Sequence, residues 1–308
     1  MKKYVLTLIG ISLLFILIVS QNNKTKNPEI IDEASAEFSN EQKIKIIGYG
    51  GDAMEPYISR DEKYLFFNNH KGEKDKELYY AERIDDLTFQ YKGEVLGVNT
   101  PYVEGNPTMD SNNNYFFITT RDLDDGDWGS IYTGSFENGI VENLKKIKGT
   151  INGNKKMWLN MGVEISKDGN TMYTSYARFK IGSDSPIEGD IRFAIKDGDK
   201  FNTPENEQEI LKNINTDYAI EYAGEVSDDG LELFYSQVVL SNPPRFKLYV
   251  SKRTNNNESF KSPKLITEPF VGNINAFVEA PSLSSNRNKL YYHKLHDGKF
   301  SIFMLSRN

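Results

Sequence analysis

The sequence predicts an all-β fold: a five-bladed β-propeller of four-stranded antiparallel blades, its ring closed by an N-terminal strand that completes the last blade. Three observations carry this. A short phrase returns five times: a Ser or Asp, one residue, an Asp or Asn, a turn, then an apolar-aromatic strand. Its copies begin at Ser59, Asp110, Ser166, Ser227 and Ser284, spaced by 51, 56, 61 and 57 residues, and a period of this size marks one supersecondary unit repeated. Each unit divides into four short strands dense in Tyr, Phe, Ile, Leu and Val, residues that suit a pleated, half-buried surface. The last copy runs out at Asn308 after its third strand, while residues 43–49 form a strand-like segment before the first copy. Placing residues 43–49 beside the last blade covers two sheet edges that would otherwise stay open.

The elements follow in order. Lys2 and Lys3 precede an uncharged apolar run from Tyr4 to Val19, the pattern of a secretory signal. The same run, residues 4–19, approaches the ~17-residue length of a membrane span, so residues 1–20 read as a signal peptide or as an uncleaved N-terminal anchor. With the lysines inside, either outcome exports the rest of the chain, to a periplasmic or extracellular location. Residues 21–42 read as a flexible linker and residues 43–308 as the propeller. In the first blade, strands are expected at about Glu55–Ser59, Tyr64–Asn68, Glu77–Arg83 and Gly93–Val98. The third strand recurs at Ser130–Phe136, Asp190–Lys196, Lys247–Arg253 and Ser301–Arg307. Asp-Gly and Asn-rich turns between first and second strands tolerate positive φ and so suit tight hairpins.

Composition narrows the function. With 37 basic and 44 acidic residues the net charge is −7, which opposes nucleic-acid binding, where a basic stripe is the rule. There is no Cys, so disulfides, thiolate metal sites, a cysteine nucleophile and N-terminal cysteine lipidation are excluded. No nucleotide loop, nucleophile elbow or zinc motif occurs.

Glu55-Pro56-x-Ile58-Ser59-x-Asp61-x-Lys63-x-Leu65-x-Phe67, followed by Leu78-Tyr79-Tyr80-Ala81, resembles the WD40-like repeat of TolB-type propellers. Glu279-x-Pro281-x-Leu283-Ser284 resembles it too. The resemblance spans roughly residues 43–308. It implies blade architecture and a bacterial-envelope setting, where such propellers serve as protein-interaction platforms or as domains attached to enzymes.

Candidate site residues stand just before each first strand, near the expected channel mouth: Asp52 and Glu55; Tyr102, Glu104 and Asn106; Trp158 and Asn160; Asp217, Tyr218, Glu221 and Tyr222; Asn275, Phe277 and Glu279. Aromatic faces beside carboxylates suit a sugar ring, a cation or a peptide. Two readings stay open. One is a non-catalytic, monomeric platform for an envelope protein or glycan, in which the recurring Glu55, Glu104 and Glu279 are repeat architecture. The other is a glycan hydrolase using two of Asp52, Glu104, Glu221 and Glu279 as its carboxylate pair. No cofactor is expected, except that Asp122, Asp124, Asp125 and Asp127 form an acidic loop that offers Ca²⁺ its oxygens, with Gly126 one place early for an EF-hand loop. His293 and His296 are expected at the surface. Insertions at Ala177–Gly189 and Val238–Arg245 are expected to widen one face.

Overall fold

A computed structural model describes residues 32–70, 76–181, 185–241, 244–267 and 277–308. The targeting segment, the linker up to residue 31, Asn242, Pro243 and Asn275 lie outside the described residues. Two N-terminal strands come first, β1 (Phe38–Lys43) and β2 (Lys45–Ile47). Blade one is then β3 (Met54–Ile58), β4 (Tyr64–Asn68), β5 (Leu78–Arg83) and β6 (Thr88–Glu94). Blade two is β7 (Glu104–Met109), β8 (Asn114–Thr119), β9 (Ile131–Glu137) and β10 (Ile140–Lys146). Blade three is β11 (Trp158–Ile165), β12 (Thr171–Phe179), β13 (Pro186–Asp197) and β14 (Lys200–Asn202). A short helix, α1 (Glu207–Leu211), leads to blade four: β15 (Ala219–Val226), β16 (Glu232–Val239), β17 (Arg245–Lys252) and β18 (Lys264–Thr267). Blade five is β19 (Val278–Leu283), β20 (Lys289–His296) and β21 (Lys299–Arg307), completed by β1.

The repeated phrase is turn chemistry. Ser59 Oγ donates to Asp61 Oδ1 at 2.6 Å and accepts from Tyr64 N at 2.9 Å, while Lys63 N donates to the same carboxylate at 3.0 Å. Ser166 with Asp168, Ser227 with Asp229 and Ser284 with Asn286 repeat this geometry. Blade two inverts it: Asp110 accepts from Asn112 N and Asn114 N at 2.8 and 2.9 Å. Each turn ties the innermost strand to the second, and the apolar faces that follow are buried between blades. One core joins Tyr57, Phe66 and Leu78 of blade one to Tyr115, Phe117 and Phe136 of blade two. Others join blades two and three, three and four, four and five, and five and one. Full burial of one such Phe or Leu stabilises the fold by roughly 1.5–3 kcal/mol.

Ring closure differs from expectation in its register. The strand that completes the last blade is Phe38–Lys43, pairing antiparallel with β21, and not residues 43–49. Lys45–Ile47 instead pairs in parallel with β6, making blade one five-stranded. Ile44, buried between them, donates its N–H to Ile302 O at 2.9 Å. The hydrophobic alternation of 43–49 pointed to the wrong segment for a physical reason. An outermost strand faces solvent on most of its length, and only Phe38 of β1 is buried. Residues 32–42, expected in the linker, belong to the folded body. Asp32 binds the buried Lys247 ammonium and Tyr249 Oη, Leu265 N donates to Glu33 O, and Ser35 N donates to Leu265 O. The stretch from residue 32 to residue 47 thus spans blades four, five and one.

Two further expectations shift. The fourth strand of blade one is Thr88–Glu94, not Gly93–Val98, and Val95 and Val98 beyond it pack into the interface with blade two. The insertions in blades three and four extend their hairpins instead of forming wide loops: Phe179 pairs with Pro186, and Val239 with Arg245.

Candidate functional site

The innermost strands β3, β7, β11, β15 and β19 line the central channel, and each carries a bulge just before the phrase, in blade three one place earlier than in the others, between Asn160 and Gly162. Four residues before the phrase stand Glu55, Asn106, Gly162, Ala223 and Ala280. All but Gly162 adopt positive φ, between 48° and 55°, a conformation uncommon outside glycine and rarest for side chains unable to bond locally. The bulge turns its N–H sideways, toward the preceding blade. Ser175 Oγ accepts from Ala223 N at 2.7 Å, Ser236 Oγ from Ala280 N at 2.9 Å, and His293 Nδ1 from Glu55 N at 3.2 Å. Ser175, Ser236 and His293 occupy one repeat position, which in blade one is Asn68 and in blade two Ile118. Asn106 N is taken instead by Glu55 Oε2 at 3.0 Å, leaving buried Asn68 Oδ1 without a partner among the described residues. Gly105 permits this approach, since a Cβ there would stand 2.9 Å from Glu55 Oε2.

A second layer repeats the device two residues before the phrase. Ser282 Oγ accepts from Ile58 N, Thr108 Oγ1 from Ile165 N and Glu225 Oε1 from Leu283 N, at 3.2, 3.4 and 3.2 Å. Tyr57 Oη donates to Met109 O at 2.5 Å. The channel wall is therefore knit blade to blade by side chains that close buried backbone donors, which is what low-dielectric burial requires.

The candidate carboxylates separate on this frame. Glu55, Glu104 and Glu279, expected at near-equivalent places, sit four, six and five residues before their phrases. Glu104 is equivalent to Glu221, and the two share one arrangement. Thr100 Oγ1 and N donate to Glu104 at 2.6 and 3.1 Å, with Thr119 Oγ1 at 2.7 Å. Thr216 Oγ1 and N donate to Glu221 at 2.7 and 3.2 Å, with Gln237 Nε2 at 2.8 Å. Burial raises both carboxyls, Glu221 to about 7, against the lowering effect of these donors. Asp52 Oδ1 accepts from Phe300 N at 2.8 Å, joining blade one to blade five.

Glu55 and Glu279 meet at the channel end opposite the phrase turns. Buried Lys76 donates to Glu55 Oε1, and Asn106 Nδ2 to Oε2 at 2.9 Å. Tyr222 Oη donates to Glu279 Oε1 at 2.6 Å. Burial, then the charge of Glu55, pushes the Glu279 carboxyl up to about 8, although Tyr222 opposes this. Burial and the Lys76 charge drive His293 down to about 3. Because His293 Nδ1 accepts from Glu55 N, the neutral ring carries its proton on Nε2. The 3.6 Å approach of Nε2 to Glu279 Oε2 is thus between neutral groups. His293 is wholly buried and not at the surface; His296 is exposed, and His70 stacks on Phe300 at 5.7 Å.

The other candidates disperse. Tyr102 Oη donates to Asp124 Oδ2 at 3.1 Å, far from the axis, and Phe277 stacks on Phe246 at 3.8 Å inside the core. Asn160 is buried against Ser130, Ile151 and Asn152. Half-buried Tyr218 lies beside Glu221 and Gln237, and Asp217 is exposed. Trp158 stacks on Tyr176 at 5.0 Å, with Lys155 4.4 Å above it and Arg192 5.3 Å from the tyrosine. In the acidic loop, Lys146 lies 2.5 Å from Asp122 and 2.6 Å from Asp127, so an ammonium stands where converging oxygens would need a cation. Among the described residues no group of three or more His, Asp or Glu is placed to hold a metal.

The residue that sequence reasoning missed is Arg60, the variable member of the first phrase. Its guanidinium crosses the channel to Glu164 at 2.6 Å, Ile165 O at 2.7 Å and Asp228 at 3.2 Å, with Glu225 at 3.9 Å. Burial would lower its pKa, but Tyr57 and the three carboxylates together raise it. Burial raises Glu164 and, further, Glu225, which also feels the charge of Glu164. Arg60 and Thr108 oppose this rise at Glu164, and Arg60 and the Leu283 N–H oppose it at Glu225. A glutamate two residues before the phrase in copies three and four, facing Tyr57, Thr108 and Ser282 elsewhere, was the available signal. Between the two polar ends the channel encloses cavities of about 30 and 10 Å³.

The geometry defines a five-bladed β-propeller, and comparisons with known proteins agree at that level. No protein-family model matches the chain, and no curated protein sequence is similar to it. Among solved structures it is similar to the catalytic domain of a Coprinopsis cinerea α-L-arabinofuranosidase, with TM-score 0.55 and 12% identity over 88% of this chain and 97% of that one. A thermostable family-43 glycoside hydrolase gives TM-score 0.51 and 12% identity over 85% and 94%. TolB from Acinetobacter baumannii gives TM-score 0.45 and 14% identity over 83% and 55%. At these identities the likeness is one of fold, and at 0.45 the last carries no argument for membership of the TolB-type group.

Proposed function

We propose that this protein is an exported, non-catalytic β-propeller that binds a protein or glycan partner in the cell envelope. One observation carries the reading: the candidate carboxylates are held by protein donors around a channel whose cavities, about 30 and 10 Å³, are far below the roughly 300 Å³ of a small-ligand pocket. Glu104 and Glu221 serve one repeated structural purpose, so neither acts as half of a catalytic pair. Binding then belongs to a face of the ring.

The rival reading, a glycan hydrolase, is favoured by the neutral Glu279 beside Glu55, since a raised carboxyl near a second one is the signature of a general acid. It needs the channel end to open around them. A panel of aryl glycosides and polysaccharides tests both. We expect no turnover above buffer; turnover lost in both Glu279→Gln and Glu55→Gln, with the fold retained, overturns the proposal.

A further inference from the structure

Around the turn face, the phrases of neighbouring blades are bridged at four of the five junctions. Ser111 N and Oγ donate to Lys167 O at 2.9 and 2.8 Å, and Lys167 Nζ donates to Asp228 Oδ2 at 2.9 Å. Arg287 pairs with Asp229 at 2.5 Å, and Ser285 Oγ donates to Arg60 O at 2.8 Å. Among the described residues, no hydrogen bond or ion pair crosses from residues 59–63 to residues 110–114. Arg60 is the reason: its side chain turns inward to blades three and four. What remains is a groove of about 330 Å³, floored by Met109 and walled by Arg60, Asp61, Asp110, Asn113 and Lys167, within the range of ligand sites.

Repeat symmetry says what the groove lacks. Asp61 holds the position of Asp229, and Asn113 that of Arg287; both of the latter adopt positive φ, 59° and 61°. At the junction of blades four and five a guanidinium joins these positions. At the junction of blades one and two a shorter, uncharged amide faces the carboxylate. Neither Asp61 nor Asp110 forms an ion pair among the described residues, and Asp61 Oδ2 accepts no hydrogen bond there. Arg60, whose side chain is 7% exposed, is committed to blades three and four and supplies no charge partner to Asp61.

From this we infer that the groove receives an arginine side chain of a partner protein, with Asp61 as the seat of its guanidinium. The inference rests on the non-catalytic reading and deepens it by naming the face and the chemistry. The two fail separately, because glycoside turnover at Glu279 would leave this groove untouched.

The test is a calorimetric or NMR titration of the intact protein with N-acetylargininamide, with the lysine and alanine analogues as arms. We expect saturable binding of the arginine probe, weaker binding of lysine and none of alanine. Asp61→Asn keeps the turn, as Asn286 does in blade five, and Asn113→Arg supplies an internal guanidinium. Each should weaken arginine binding by about tenfold or more, with thermal midpoints at or above the parent's. Absence of saturable binding to the parent, or equal binding by parent and both variants, overturns the inference.

Discussion

Glu279 and His293 lie 3.6 Å apart and are both neutral, and their linkage to folding runs in opposite directions. Glu279 has a folded pKa raised from the ordinary carboxyl value to about 8, so the stability it contributes is present at acid pH and is lost as pH rises from about 4.5 through 8. His293 has its folded value depressed to about 3, so its contribution is present above about 6.5 and is lost as pH falls toward 3. Glu279→Gln removes the first dependence and leaves the second. Urea midpoints at pH 5.5 and 8 should therefore differ less in this variant than in the parent, by of order a few kcal/mol when converted to free energy. An unchanged difference would mean that Glu279 is ionised in the fold.

At the scale of elements, the N-terminal segment acts as a clasp. It completes blade five through β1, belts blade one through β2, and fixes itself to blade four through the ion pair of Asp32 with buried Lys247. Related parallel bridges, Leu96 to Ile140, Lys148 to Lys200 and Ala34 to Leu265, lay connecting segments along the outermost strands of blades two, three and four. Removal of residues 1–31 should leave the unfolding midpoint unchanged. Removal through residue 43 should lower it sharply and promote association, because the β21 edge is then unpaired. Asp32→Ala should destabilise by about 3–5 kcal/mol, the usual cost of leaving a buried charge alone. Equal midpoints for all these chains, measured by thermal unfolding, would refute the clasp.

At the scale of the whole molecule, one arginine organises the axis. Arg60 leaves blade one, neutralises Glu164 and Asp228 across the ring, and in doing so opens the junction between blades one and two. Arg60→Met keeps much of the apolar stem but strands the Glu164–Glu225 pair. We expect a loss of about 3–5 kcal/mol, larger at pH 8 than at pH 5.5, because carboxyls raised in the fold lose stability as pH rises through their folded values. Arg60→Lys should not restore it, since one ammonium cannot match a planar fork reaching Glu164, Ile165 O and Asp228 together. Chemical denaturation at the two pH values decides this; a lysine variant as stable as the parent would remove the geometric argument.

The legible part of this protein was what repeats. Ser59-Arg60-Asp61 and its four relatives carry their geometry locally, in Asx-type hydrogen bonds a few residues long, so spacing alone led to five blades and to turns instead of catalytic equipment. The register of closure was not legible, because Phe38–Lys43 is an outer strand with little to bury and hence little pattern to show. Nor was the sorting of the carboxylates. Glu104 and Glu221 share a spacing of six residues to their phrases, but that both are closed by threonine and neighbouring-strand donors, while Glu55 reaches Asn106 of the next blade, is visible only in the folded contacts. The sequence by itself determined the blades, because hairpin turns and alternating burial are short-range. Only the tertiary structure decided which side chains meet across the channel, where Arg60 goes, and which junction stays open, because those contacts join residues up to 238 positions apart.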